Sequence, residues 1–362
     1  MFSAADFREI VSGRRHDLAA SFWRGLFWLV ELPYSCAMRL RNGCFDREWF
    51  QVAKVDAPVI SIGNITLGGT GKTPLVEWVA RWFRREHLRV AVISRGYGAE
   101  AGGANDEARQ LEQRLPDVPH LEDPDRFAAA TLAIEELATQ LILLDDAFQH
   151  RQLHRDLDIV LLDATDPFGC EHVFPRGLLR EPLAGLARAD AVILSRADLV
   201  DDSRREEIRR AIQSYVSPEA VFAEAVHRPK SLLAATGERH DIDTLAGKKV
   251  AAFCGLGNPE AFRRTLQGCG CEVVAWREFP DHHPYSRSDV AELAKWVAAL
   301  DISAVVCTHK DLVKLEIEEI GNRPLRALSV ELEFTRGDAE MENLLRGILA
   351  RIPADDQSLP TE

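Results

Sequence analysis

The chain lacks an apolar run long enough to cross a bilayer. Its most apolar stretch, Ser21 to Met38, carries two Trp, two Phe and a Tyr, but Arg24 and Glu31 interrupt it. Spanning a hydrocarbon core of roughly 30 Å takes about 20 mainly apolar residues. A secretory leader is not expected either, because Arg8, Arg14, Arg15 and His16 precede the apolar stretch and no small-residue cleavage site follows at the right distance. Positive charge is also short: 44 Lys and Arg stand against 57 Asp and Glu, a net charge of -13, which argues against a general nucleic-acid binder. The seven cysteines are scattered and odd in number; only Cys269 and Cys271 lie close, without a second pair to complete a zinc site. They fit reduced thiols in a cytosolic compartment. Internal repeats are absent, and the one low-complexity stretch is the polar tail after Pro353.

What is present is ordinary for a globular protein, with 46% hydrophobic and 28% charged residues, and 362 residues exceed one typical core. The expected class is α/β: a P-loop NTPase-like parallel sheet domain, a second, smaller α/β domain and an N-terminal amphipathic helix. The expected boundaries are 1–56 for a helical, membrane-associating segment, 57–230 for the core domain, 231–249 for a polar linker, 250–352 for the second domain and 353–362 for the tail. Residues 1–56 hold eight Lys or Arg against seven Asp or Glu, in a chain that is otherwise acidic. An aromatic, locally basic helix suits a membrane interface, and packing against the protein's own core would explain the same pattern.

The stretch from Pro58 to Pro74 organises the rest. Val59 to Ile62 is short, apolar and β-branched, as in a buried parallel strand, and Leu75 to Phe83 has helical spacing. Between them Gly68, Gly69, Thr70 and Gly71 let backbone amides turn toward anionic oxygens, Lys72 supplies a point charge, and Thr73 supplies a hydroxyl for Mg2+. The usual pattern asks for glycine at the position of Thr66, so the strict motif is not met. Leu141 to Leu144 reads as another buried strand running into Asp145 and Asp146, where an acid opposite the loop would hold Mg2+; adjacent carboxylates repel unless a cation sits between them. Further strands are expected at Arg89 to Ser94, Ile159 to Leu162, Ala191 to Leu194, Val250 to Cys254 and Ala304 to Thr308. The loop Phe174 to Pro182 suits either a phosphate clamp or a helix cap. Leu194 to Asp198 stands where a GTPase would read guanine with Asn-Lys-x-Asp, but both the Asn and the Lys are missing.

Taken together, Gly63 to Thr73, Ser94 to Tyr97, Asp106-Glu107, Asp145 to His150, Leu179 to Pro182 and Phe279 to His282 make the chain resemble, over almost its whole length, the tetraacyldisaccharide 4'-kinases of lipid A synthesis. The resemblance implies transfer of the γ-phosphoryl group of ATP, with Mg2+, to the 4'-hydroxyl of a tetraacylated glucosamine disaccharide 1-phosphate, giving lipid IVA. It implies a peripheral or monotopic enzyme at the cytoplasmic face of the bacterial inner membrane, with its site in a cleft between two lobes. The alternative is a GTPase or ATPase of the metal-insertion or partitioning type without a lipid substrate. By the same resemblance Asp106 is the base for the sugar hydroxyl and His282 orients it, with Lys72 at the phosphates. Thr73, Asp145 and Asp146 serve the metal; Arg126, Gln149, His150 and Arg180 face the sugar and its phosphate. Thr66 is part of the family pattern. The chain departs from it in Asn105, Ala108, Ala147 and Arg176, none of which removes an indispensable chemical group.

Overall fold

The computed structural model describes residues 4–96, 106–281 and 283–353. Two N-terminal helices, α1 (Ala4–Val11) and α2 (Leu18–Asp46), precede the first strand, β1 (Val59–Asn64). Then follow α3 (Lys72–Arg85), β2 (Val90–Ser94), α4 (Asp106–Arg114), β3 (His120–Glu122), α5 (Arg126–Leu137), β4 (Leu141–Asp145), β5 (Leu157–Asp163), β6 (Ala191–Ser195) and α6 (Asp202–Gln213). The second half holds β7 (Val221–Leu233), β8 (Arg239–His240), β9 (Lys249–Cys254), α7 (Pro259–Gln267), β10 (Glu272–Glu278), α8 (Arg287–Ala298), β11 (Ala304–Thr308), α9 (His309–Leu315), β12 (Glu319–Ile320), β13 (Arg323–Arg336) and α10 (Asp338–Leu349).

The strands form one large, mostly parallel sheet in the order β10-β9-β11-β13-β7-β6-β5-β1-β4-β2-β3. This is the α/β class expected. All six residues of β1 are buried, the polar Ser61 and Asn64 included, as in a parallel strand covered on both faces. It lies between β4 and β5, with Ile62 in register with Asp145 and Gly63 with Val160. Helices cover both faces. Leu75, Val79 and Phe83 of α3 pack with Met341 and Leu345 of α10 on one side of β1, and Ala129 and Ala133 of α5 pack on Ile142 and Leu144 on the other. Each large side chain so buried contributes about 1.5–3 kcal/mol. In the second half, Leu293 and Val297 of α8 meet Phe253 and Val305, while Phe262 and Leu266 of α7 meet Val250 and Cys254.

The halves are joined by a long antiparallel ribbon. β7 pairs in parallel with β6 and antiparallel with β13, which pairs in parallel with β11. The polar stretch 231–249, expected as a linker, is therefore built into the fold. Ser231 to Leu233 finish β7, β8 folds back on them, and Leu232 and Leu245 are buried. The exposed polar residues of the stretch sit mainly in the turn between β7 and β8 and in the short helical turn that follows β8, rather than in a free connection.

The N-terminal helix is also more than a core-packing element. α2 ties its inner side to the body: Glu31 accepts from the Val173 amide at 2.9 Å, Tyr34 donates to the Arg180 carbonyl at 2.9 Å, and Asn42 donates to Glu181 at 2.7 Å. Its outer side leaves Leu18, Phe22, Trp28, Leu29, Val30 and Leu32 exposed. Among the described residues no helix is long and apolar enough to cross a membrane.

Candidate active site

The loop after β1 is held by short polar contacts along its backbone. Asn64 Nδ2 donates to Thr70 Oγ1 at 3.1 Å and to the Gly68 carbonyl at 3.4 Å, closing the loop on itself. Ser195 Oγ donates to the Thr70 carbonyl at 2.7 Å, and Arg196, ion-paired with Asp163, donates to the Gly69 carbonyl at 2.9 Å. The segment Leu194 to Asp198 thus serves the loop's backbone. Gly71 sits at φ +89°, and a Cβ there would lie 2.4 Å from His227 Cε1, so both conformation and space require glycine. α3 opens at Lys72, directing its first free amides toward the loop.

A second loop braces the first. Leu67 N donates to the Leu178 carbonyl and Arg180 N to the Ile65 carbonyl, both at 2.7 Å, with Thr66 opposite Leu179 in a short antiparallel bridge. Thr66 is buried in that pairing. An extended, β-branched residue suits it better than the glycine of the usual motif. The loop at 174–182, left open between clamp and cap by its composition, is this brace.

The brace also delivers a cation. Arg180 Nη1 lies 2.9 Å from both Asp146 oxygens, its Nε donates to the Thr66 carbonyl at 3.1 Å, and Lys72 Nζ is 3.3 Å from Asp146 Oδ1. Burial by itself would raise the Asp146 carboxyl, but Lys72 and Arg180 outweigh it and hold the group below its ordinary value, hence ionised. Asp145, the last residue of β4, is buried beside it. Arg126 opens α5, buried, with Nη1 donating to the carbonyls of Asp123 at 3.3 Å and Pro124 at 3.2 Å. Burial, then Arg95, depresses its pKa, while Asp146 and Asp145 pull the other way. His150 is pushed down to about 4 by burial and then by Arg126, Arg155 and Arg41, so its imidazole is neutral at pH 7. Gln149 turns inward: its amide donates to the Asn64 carbonyl at 2.9 Å and to Glu181 at 3.0 Å, linking the end of β1 to the brace. Asp106 begins α4, but its side chain, and His282 altogether, lie outside the described residues.

Between the halves lies a cavity of ≈ 200 Å³. Gly69 to Pro74 and Asp145 line it from the first half, and Leu256, Phe262, Leu328 and Val330 give it an apolar wall from the second. Thr308 and Lys310 face it too. The halves are cross-linked beside it by Arg114 of α4, which ion-pairs with Glu77 at 2.6 Å, donates to the Val330 carbonyl at 3.0 Å, and donates through Nε to His309 Nδ1 at 3.0 Å. Composition gave no sign of Arg114, Arg196 or Asp163, because each acts through partners far away in the chain.

A glycine-rich loop beside two adjacent acids and an apolar wall has the make-up that a nucleotide site requires. The family described as tetraacyldisaccharide-1-P 4'-kinase matches residues 23–350. The chain belongs to that family. Members called tetraacyldisaccharide 4'-kinase from Anaeromyxobacter sp. strain K and Halothermothrix orenii are 39% and 38% identical to it, over 90% and 88% of this chain and 90% of each relative. The family's LpxK protein from Aquifex aeolicus, crystallised in complex with ATP, is similar in structure, with a TM-score of 0.73 and 30% identity, over 90% of this chain and 99% of that one.

Proposed function

We propose that the chain transfers the γ-phosphoryl group of ATP to the 4'-hydroxyl of a tetraacyldisaccharide 1-phosphate, giving lipid IVA. The observation that carries this reading is the convergence of Lys72 and Arg180 on Asp146, next to the buried Asp145 and at the mouth of the loop. In this reading the amides of Gly68 to Thr73 cradle the β- and γ-phosphates and Lys72 neutralises them. The oxygen donors Thr73, Asp145 and the ionised Asp146 fit Mg2+, a hard cation that takes carboxylates and hydroxyls. Bound there, Mg2+ would neutralise charge on the β- and γ-phosphates.

The Asp106 carboxylate takes the proton of the 4'-hydroxyl as its oxygen bonds to the γ-phosphorus and the bond to the β–γ bridging oxygen breaks, releasing ADP. His282, from the second half, orients Asp106. Arg126, His150 and Arg180 face the sugar and its phosphate, and His150 does so as a neutral donor or acceptor. Gln149, whose amide is engaged inside the fold, acts by holding the brace in register. Residues 57–230 form the nucleotide-binding lobe and 250–352 the opposing lobe. The exposed apolar side of α2 rests on the cytoplasmic face of the bacterial inner membrane, which brings the lipid acceptor to the cleft.

The test is transfer of labelled γ-phosphate to a tetraacyldisaccharide 1-phosphate in detergent micelles. Wild-type protein is expected to label the lipid, and to label it with ATP in preference to GTP. ATP hydrolysis without any labelled lipid would remove the reading.

A further inference from the structure

We propose that Lys310, contributed by the second half of the sheet, is a catalytic cation that engages the γ-phosphoryl group from the wall opposite Lys72. The inference rests on the kinase reading above and adds to it a residue from the other side of the cleft.

Lys310 stands in the first turn of α9, directly after β11, with its side chain 11% exposed, and it lines the same cavity as Gly69 to Thr73. Its ammonium lies 3.1 Å from Asp281 Oδ1. Asp281 in turn reaches the seam between the halves. Measured from where a Cβ on Gly257 would lie, Asp281 Oδ2 is at 3.0 Å, Arg8 Nη2 at 3.4 Å and the Gly69 amide nitrogen at 3.5 Å. Gly257 therefore keeps clear the space in which the acid holding Lys310 meets the phosphate-binding loop. Two ammonium groups on opposite walls, Lys72 on Asp146 and Lys310 on Asp281, each rest on a carboxylate at 3.1–3.3 Å.

The cavity's charge supports the same conclusion. Lys72, Arg114, Arg196 and Lys310 line it, against Asp145 and Asp198. Arg114 is bound to Glu77 and His309, and Arg196 to Asp163 and the Gly69 carbonyl, so both guanidinium groups are fixed in the scaffold. The flexible ammonium groups are the ones suited to follow a phosphoryl group as it moves from donor to acceptor. In a loose transition state charge is spread over three equatorial oxygens, and cations on two sides stabilise it better than one. A γ-phosphate entering the cavity takes the place of the Asp281 carboxylate as partner of Lys310.

Titration of the full-length wild-type, K310M and K310R proteins with ATP and with ADP tests this, alongside the lipid-transfer assay. K310M is expected to bind ADP within about twofold of wild type but ATP ~10- to 100-fold more weakly, the loss of one charge-assisted contact. Its kcat should fall ~10²- to 10³-fold, with K310R recovering part of both. Unchanged discrimination between ATP and ADP, with kcat within twofold of wild type, would overturn the assignment while leaving the kinase reading in place. Wild-type protein that binds ATP in a Lys310-dependent way but never labels the lipid would do the reverse. Circular dichroism checks that K310M is folded; if it is not, D281N carries the test. Removing the carboxylate that competes for Lys310 should tighten ATP relative to ADP, and an unchanged ratio overturns the proposal.

Discussion

Lys72 Nζ lies 3.3 Å from Asp146 Oδ1, so the cation of the phosphate-binding loop and one of the two acids at the end of β4 are already paired before any nucleotide is considered. The pair aims both groups at one point. Lys72→Ala should nearly abolish turnover, by ~10²- to 10³-fold or more in kcat, as expected for a charge that stabilises the transition state. Steady-state kinetics with the lipid acceptor measures it; kcat within tenfold of wild type would contradict the role.

Asp106→Ala addresses the other half of the chemistry. Loss of a general base costs ~10²- to 10⁴-fold in kcat, with the KM for ATP little changed because the proposed role of Asp106 is toward the sugar hydroxyl and not the nucleotide. Near-normal turnover would refute the base assignment.

Arg180 has two tasks, neutralising Asp146 and holding the Thr66 carbonyl. Arg180→Ala should therefore lower kcat and also loosen the loop itself. Hydrogen exchange at the Leu67 amide, which donates to Leu178, reports the second effect separately. Faster exchange there is expected, and unchanged exchange would limit Arg180 to its electrostatic part.

Gly71→Ala meets two obstacles, a backbone at φ +89° and an imidazole 2.4 Å from the new methyl. The conformational strain alone costs ~1–3 kcal/mol. ATP binding should fall at least ~10-fold. Adding His227→Ala removes the collision but not the strain, so partial rescue is expected in isothermal titration.

His309 makes stability depend on pH. Its Nδ1 accepts from Arg114, so Nε2 carries the proton and donates to Gln113 at 2.8 Å. Burial, then Arg114, pushes its pKa down to about 3, against roughly 6.5 in the unfolded chain. The unfolded state binds more protons between those values, so the contribution is complete above pH 6.5 and is lost as pH falls toward 3. Urea unfolding at pH 7.5 and pH 5 should give a smaller difference for His309→Gln than for wild type, by roughly 1–2 kcal/mol. His227 and His150, also depressed, account for part of the slope that persists.

Much of the site was legible because its signals are local. β1, the glycines, Lys72 and the acids after β4 sit within short windows whose strand and loop patterns are unambiguous. Thr66 was legible only as a departure, since its partner Leu179 lies 113 residues further on. The ribbon of β7 and β13 was missed for a related reason. Ser231 to Lys249 is polar by composition, yet Leu232 and Leu233 pair with Leu328 and Ala327 across the sheet, and no window of sequence contains both partners. The strand Ala304 to Thr308 was visible, but the relation of Lys310, just after it, to Lys72 exists only once the halves are folded against each other.

The same ribbon governs how the cleft can work. Because β7 and β13 run antiparallel through the junction and their neighbours continue the sheet on both sides, the two walls of the cavity are parts of one elastic plate. A change in the distance between Lys72 and Lys310 would have to strain that plate across many backbone hydrogen bonds, so closing the cleft on a ligand would work against a spring rather than a free joint.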